Sequence, residues 1–247
     1  MIDLNQFENP EENIYILKKW NWDYLEAEKF QLACLDFVNA NPHISLFIIC
    51  SHPRCFTLGR GLQKLKEDIG VHLIDHDTEM NLEYPLYQIK RGGGLTFHYP
   101  GQVIFYPIVN LTYHKLAVHD FMVSILEAAR LTLMEKFNLS DLKIRTDLLG
   151  LWFEENKKVA SIGLANSRFT TYHGMALNFL KDESMFDALL SVFPCGLPGK
   201  TYYNIEDLTF SNLLPEDRES FSQSFISTLT RNFSRRSHFV EWSETNL

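Results

Sequence analysis

The chain has 247 residues, of which 45% are hydrophobic and 22% charged, and its formal net charge is -8. Such a length suits a single α/β domain, and the balance is that of a globular protein. An acidic chain gives no electrostatic reason to expect nucleic-acid binding, which depends on clustered Lys and Arg, and no window approaches the roughly 18 unbroken apolar residues needed to cross a bilayer.

The N-terminal stretch MIDLNQFENPEEN is acidic and has no apolar core. Neither a signal peptide nor a basic transit peptide is expected, and the predicted compartment is the cytoplasm. Four cysteines, Cys34, Cys50, Cys55 and Cys195, show no CxxC pairing. A disulfide framework or a structural zinc site is therefore not expected. RRSH at 235–238 is too short a basic run to make nucleic acid an expected partner.

From Tyr24 to Val38, Ala27, Phe30, Cys34 and Phe37 recur at three- and four-residue spacing, which predicts one face of a helix with Cys34 in the core. SLFIIC at 45–50 predicts a buried strand ending at Cys50. PLYQIK at 85–90 and VIFYPIVNL at 103–111 predict two strands, and Pro107 predicts that the second is an edge strand or carries a bulge. Between them RGGGLTFHYPGQ, residues 91–102, reads as a loop. A helical stripe of Val118, Phe121, Ile125, Ala129, Leu133 and Phe137 follows over 117–137. LLGLWFEENKKVASIGLA predicts a hairpin turning at EENKK, TTYHGMALNFL a further strand, MFDALLSVF at 185–193 a short helix, and about 216–233 a last helix with Phe221, Phe225, Leu229 and Phe233 on one face. The sum is α/β (α+β), a mixed β-sheet flanked by helices in one domain spanning 1–247.

Two segments carry chemical interest. Consecutive glycines can take positive φ and bring backbone N–H groups against a ligand, although RGGG alone reads equally as a turn and matches neither a dinucleotide nor a P-loop fingerprint. His98 and His173 stand near glycine at the ends of predicted strands, and each reads as a structural histidine or a site residue. Cys195, in FPCGLPGK at 193–200, lies on a loop between proline and glycine rather than on a core face. A thiol there needs a neighbouring base or cation, because at an ordinary pKa near 8.5 only about 3% is thiolate at neutral pH. Lys157 or Lys158, ahead of VASIG, could supply it, although a lysine pair in a hairpin turn is usually solvated.

Read together, three blocks resemble the lipoyl(octanoyl) transferases. RGGGLTFHYPGQVIFYPIVNL is similar to the family's RGGxxTxHGPGQ and Tyr-Pro strand, KVASIGLANSRFTTYHGMALNF to its lysine, serine and HGxALN block, and PCGL to its nucleophile loop, in the same order over roughly residues 45–200. The resemblance implies the fold of biotin- and lipoate-protein ligase catalytic domains. It implies a nucleophilic Cys195 that carries the acyl group as a thioester, with Lys158 as its partner base. It further implies that Arg91, Gly92, Gly93, Gly94, Leu95, Thr96, Phe97 and His98 line the acyl and thioester site together with Ser161, Ile162, Gly163, His173, Gly174, Met175 and Ala176. Backbone N–H groups of the glycine or Ser-Ile-Gly segments would hold the oxyanion. Tyr99 departs from the pattern, standing where the family has glycine, and is expected to alter the pocket mouth.

The implied reaction moves an octanoyl group from acyl carrier protein to a lysine of apo lipoyl domains, those of 2-oxoacid dehydrogenases and the glycine cleavage H protein, with no cofactor and no metal. Arg60, Lys64, Lys66, Arg168 and Lys200 are candidates for a local basic docking patch. The rival readings are an ATP-dependent lipoate or biotin ligase, a lipoyl amidotransferase, and a non-enzymatic acyl-carrier-binding module. Dependence on ATP, the identity of the acyl donor and the reactivity of Cys195 discriminate them.

Overall fold

The computed structural model describes residues 2–60, 82–190 and 197–244, with the side chains of 190 and 232–244 excepted. Cys195, Lys64 and Lys66 lie outside the described residues, as does the end of the helix expected at 185–193.

Eight strands form the main sheet: β1 (Glu8–Glu11), β2 (Ile14–Lys19), β3 (Ser45–Cys50), β7 (Val103–Ile108), β8 (Leu142–Arg145), β9 (Gly150–Phe153), β10 (Lys157–Ser167) and β11 (Thr170–Leu177). Their spatial order is β1-β2-β3-β7-β11-β10-β9-β8, with β2 and β3 parallel and the other neighbours antiparallel. A smaller sheet, in the order β5-β4-β6, is made of β4 (Cys55–Leu58), β5 (Leu86–Gln88) and β6 (Leu95–His98).

Helices cover both faces of the main sheet, which is why SLFIIC is apolar throughout rather than alternating. Phe47, Ile49, Val103 and Phe105 pack beneath α2 (Val118–Phe137) and α5 (Pro215–Glu244), while Leu46, Ile48, Cys50, Ile104 and Tyr106 face α1 (Tyr24–Ala40). Asp23 caps α1 by accepting from the Glu26 N–H at 3.0 Å, and α2 stops where Asn138 turns left-handed at φ 55°. Phe221, Phe225 and Leu229 are buried on α5, as their spacing predicts. Two shorter α-helices are α3 (Glu183–Leu190) and α4 (Ile205–Thr209), and single 3-10 turns lie at Leu4–Gln6 and Gly199–Thr201.

Three expectations are corrected. The segment 91–102 is not all loop, because Leu95–His98 pairs with β4 as a strand. Its alternation was hidden by the glycines before it and Pro-Gly after it. Pro107 does not mark an edge, since β7 lies between β3 and β11. Instead the β7–β11 ladder is interrupted: pairs run from Leu177↔Val103 to Met175↔Phe105 and resume at Thr170↔Asn110. In the gap His173 takes φ 57°, and the Thr171 hydroxyl donates to the Pro107 carbonyl at 2.7 Å. The third correction is α5, which starts about where expected, at Pro215, but runs on beyond 233 to Glu244.

Candidate active site

A β-bulge sets up the site. Across β9 and β10 the register runs Lys158↔Trp152 and then Ala160↔Leu151, so Val159 has no partner of its own. Bulges commonly re-aim a side chain in this way. Lys158 is only 3% exposed, and its Nζ lies 5.3 Å from the centroid of the Trp152 ring. Trp152 is itself fixed, donating from its indole to the Leu148 carbonyl at 3.1 Å, with the Arg145 guanidinium 4.7 Å from its ring. The two adjacent lysines therefore diverge: Lys157 pairs with Glu154 at 2.8 Å, whereas Lys158 lines a cavity of about 470 Å³.

Most residues singled out in the sequence share that cavity. Arg91, Gly92, Gly93, Gly94, Thr96 and His98 line one wall, Ser161, Ile162 and Gly163 come from β10, and His173, Gly174, Met175 and Ala176 from β11. Leu95 and Phe97 do not reach it. Alternation along β6 turns them away, into an apolar cluster with Phe56, Tyr99 and Met185 and a small cleft behind. Tyr99 also points away from the cavity, fully buried, and donates from its hydroxyl to Asn204 Oδ1 at 2.6 Å.

The glycine segment is locked rather than loose. Gly93 takes φ 79°, the Gly92 N–H donates to the Leu164 carbonyl at 3.2 Å, and a Cβ on Gly163 would come within 2.7 Å of the Gly92 oxygen. Only glycine allows so close an approach of the two segments. The Gly92 N–H is thereby spent and is not a free oxyanion donor. Arg91 is 8% exposed and donates to the Gly92 and Thr57 carbonyls and to the hydroxyls of Thr57 and Thr96, at 2.8–3.0 Å.

A chain of hydrogen bonds runs on from Arg91. Thr57 accepts from Arg91 and so donates to His98 Nε2 at 3.1 Å; His98 Nδ1 donates to Gln102 Oε1 at 3.0 Å. Gln102 Nε2 in turn donates to Asn178 Oδ1 at 3.0 Å, and the Asn178 N–H donates to the Val159 carbonyl at 2.8 Å, inside the bulge. Burial first, then the neighbouring His52 and Arg91, holds His98 well below the usual histidine range. It is a neutral spacer. His52 is neutral as well, brought down to about 4 by burial, with Nδ1 donating to the Trp22 carbonyl at 2.7 Å and Nε2 accepting from the Tyr106 hydroxyl at 2.8 Å.

Sequence reasoning missed Tyr24, Tyr106, Met122 and Asp147, which also line the cavity, and Trp152 behind Lys158. Met122 and Tyr24 sit in helical stretches that read as core, and no spacing rule separates a cavity wall from a core face. Among the described residues no group of three or more His, Cys, Asp or Glu could hold a metal ion. Cys34, Cys50 and Cys55 are free and buried; burial pushes the Cys34 and Cys55 thiols up to about 12, and that of Cys50 further.

The fold and cavity together define a class, that of the lipoyl protein ligase catalytic domains. A lipoate-protein ligase A structure determined with ATP superposes with a TM-score of 0.61 at 15% identity, covering 90% of this chain and 85% of that one. Residues 23–233 match the family described as lipoyl protein ligase A/B catalytic domain. An octanoyltransferase of Synechococcus sp. is 32% identical over 82% of this chain and 79% of its own length, and a chloroplastic octanoyltransferase of Arabidopsis thaliana 30% identical over 84% and 74%. The chain belongs to the lipoyl protein ligase A/B catalytic domain family and, within it, to the octanoyltransferases, which makes it an acyltransferase.

Proposed function

We propose that the chain, as one catalytic domain over 1–247, transfers an octanoyl group from acyl carrier protein to a lysine of apo lipoyl domains through a Cys195 thioester, in the cytoplasm. The observation that carries this reading is the buried Lys158, aimed by a bulge into a cavity of a size suited to a medium-chain acyl group. Two further features support it. Three of the four cysteines are buried with raised thiols, unsuited to nucleophilic work, which leaves Cys195 as the candidate. The described residues on either side of the Cys195 segment, Leu189 and Tyr202, line a cleft with Thr96 and Ser161, and Tyr202 forms a bridge with Lys158.

In the proposed cycle the Cys195 thiolate attacks the thioester carbonyl and expels the carrier thiolate, which takes its proton from Lys158. The acceptor amine then attacks the acyl-enzyme carbonyl, gives a proton to Lys158 and expels the Cys195 thiolate. Thioester and amine become amide and thiol, so no nucleotide is consumed. Exposed Arg60, Arg168 and Lys200 remain candidates for guiding acidic partner domains.

Incubation with octanoyl carrier protein and an apo lipoyl domain, without ATP, is expected to add an octanoyl mass to the domain. Cys195→Ala should show no acyl-enzyme adduct, and Lys158→Ala should slow transfer by about 10²-fold or more. Transfer that requires ATP and free octanoate, and survives Cys195→Ala, would overturn the reading in favour of a ligase.

A further inference from the structure

Two polar atoms of the cavity lining have no hydrogen-bond partner among the described residues: the Tyr24 hydroxyl and His173 Nε2. Their residues are 2% and 1% exposed. A buried polar atom without a partner is costly, so the pair calls for something to bind there.

Both belong to one aromatic wall. Tyr24 lies 5.0 Å from His52 and 6.0 Å from His98 by ring centroids, and Tyr106, bonded to His52, lies 6.2 Å from His173. The ring nitrogens of His52 and His98 and the hydroxyl of Tyr106 are all engaged. Among the described residues of this wall, Tyr24 and His173 alone present open valences.

The chain also spends conformational energy to bring His173 there. Its left-handed φ of 57° is uncommon for a residue with a Cβ, and it coincides with the break in the ladder opposite Pro107. Gln31 Oε1, from α1, accepts the His173 N–H at 3.0 Å and holds the twist. Burial lowers His173 to about 3 and raises Tyr24, so both are neutral at working pH and suit an uncharged ligand group.

His173 stands along the sheet from Lys158. Along β10 the lining passes from Lys158 through Ser161 and Gly163 to Leu164, the residue opposite His173. Six residues of strand span roughly 20 Å.

We propose that Tyr24 and His173 form a hydrogen-bonding subsite at the far end of the cavity, which takes a neutral polar group such as the terminal hydroxyl of an ω-hydroxyacyl chain and disfavours methyl-ended chains long enough to reach it. This inference rests on the acyl-transfer reading for the identity of the chain, but its test does not need turnover.

Calorimetric binding of octanoate, dodecanoate and hexadecanoate, each against its ω-hydroxy counterpart, tests it. At the chain length that spans the cavity the hydroxy acid is expected to bind about tenfold more tightly to the wild-type protein, and Tyr24→Phe, which removes one oxygen and keeps the ring, should bring the two acids to within about twofold. His173→Asn, a residue that tolerates left-handed φ, should do the same. A hydroxyl preference absent at every length, or unchanged in both variants, or no binding of any acid, would overturn the subsite. Octanoyl transfer by the wild-type protein is assayed in parallel. Transfer without the hydroxyl preference removes the subsite and leaves the enzyme, whereas the preference without transfer leaves the subsite and removes the reaction.

Discussion

Lys158 sits in a place that favours function over stability. Its amine is buried against Trp152, and a Cβ on Gly150 would come within 2.8 Å of its Cε, so the facing residue is as small as a residue can be. Burying an amine costs desolvation that a thioether of similar length escapes. Lys158→Met should therefore unfold at the same or a higher temperature than the wild type while acyl transfer falls about 10²-fold or more, as paired melting and transfer measurements would show. A marked loss of stability would mean that the amine holds the fold together instead. The choice between Lys157 and Lys158 could not be read from spacing. Both stand at a hairpin turn, and only the unpaired Val159 decides which of them faces the cavity.

Among the elements, α5 is fastened to β2 by a small polar cluster. Lys18 donates to Glu219 at 2.6 Å, Trp20 donates to the same carboxylate at 3.3 Å, and the Arg218 guanidinium lies 4.0 Å from the Trp20 ring. Burial raises the Glu219 carboxyl, but the hydrogen bond and charge of Lys18 outweigh it and the net effect is downward. A lowered carboxylate stabilises the fold above its unfolded pKa, and that contribution fades as pH falls through the folded value. Glu219→Gln should thus cost no more than about 1 kcal/mol at neutral pH and should converge with the wild type below about pH 4, a comparison that urea midpoints of the two proteins can make. The helix itself was legible from Phe221, Phe225 and Leu229. β2 was not, because ILKK carries its polar residues where the strand meets this cluster, and β4 and β6 were not, because strands of four residues give periodicity little room.

For the molecule as a whole, several histidines are held neutral. Burial brings His52 and His114 to about 4 and His173 to about 3, and it takes His98 well below the usual range. The unfolded chain binds protons at these positions below about pH 6.5, whereas the folded chain does so only near their lowered values. Stability contributed by neutral histidines is therefore complete above pH 6.5 and is lost progressively towards pH 4. Unfolding midpoints should fall between pH 7 and pH 5; a flat profile across that range would show that the buried rings take up protons without opening the fold. The mixed sheet and its flanking helices were legible because long helices and β-branched runs announce themselves. The polar wall of the cavity was legible only at His98 and His173, which stand beside glycines at strand ends, whereas Tyr24 and Tyr106 come from distant elements and each alone passes for core.

The tie between Lys18 and Glu219 joins residues 201 positions apart. A ribosome must therefore have translated most of the chain before the early strand can meet its late partner. Arg218, beside Glu219, also donates to the Pro100 carbonyl at 2.5 Å, near the end of β6. Assembly of this corner then waits for α5, and a nascent chain stalled before that helix would hold β2 by its pairing with β1 and β3 but without its polar tie.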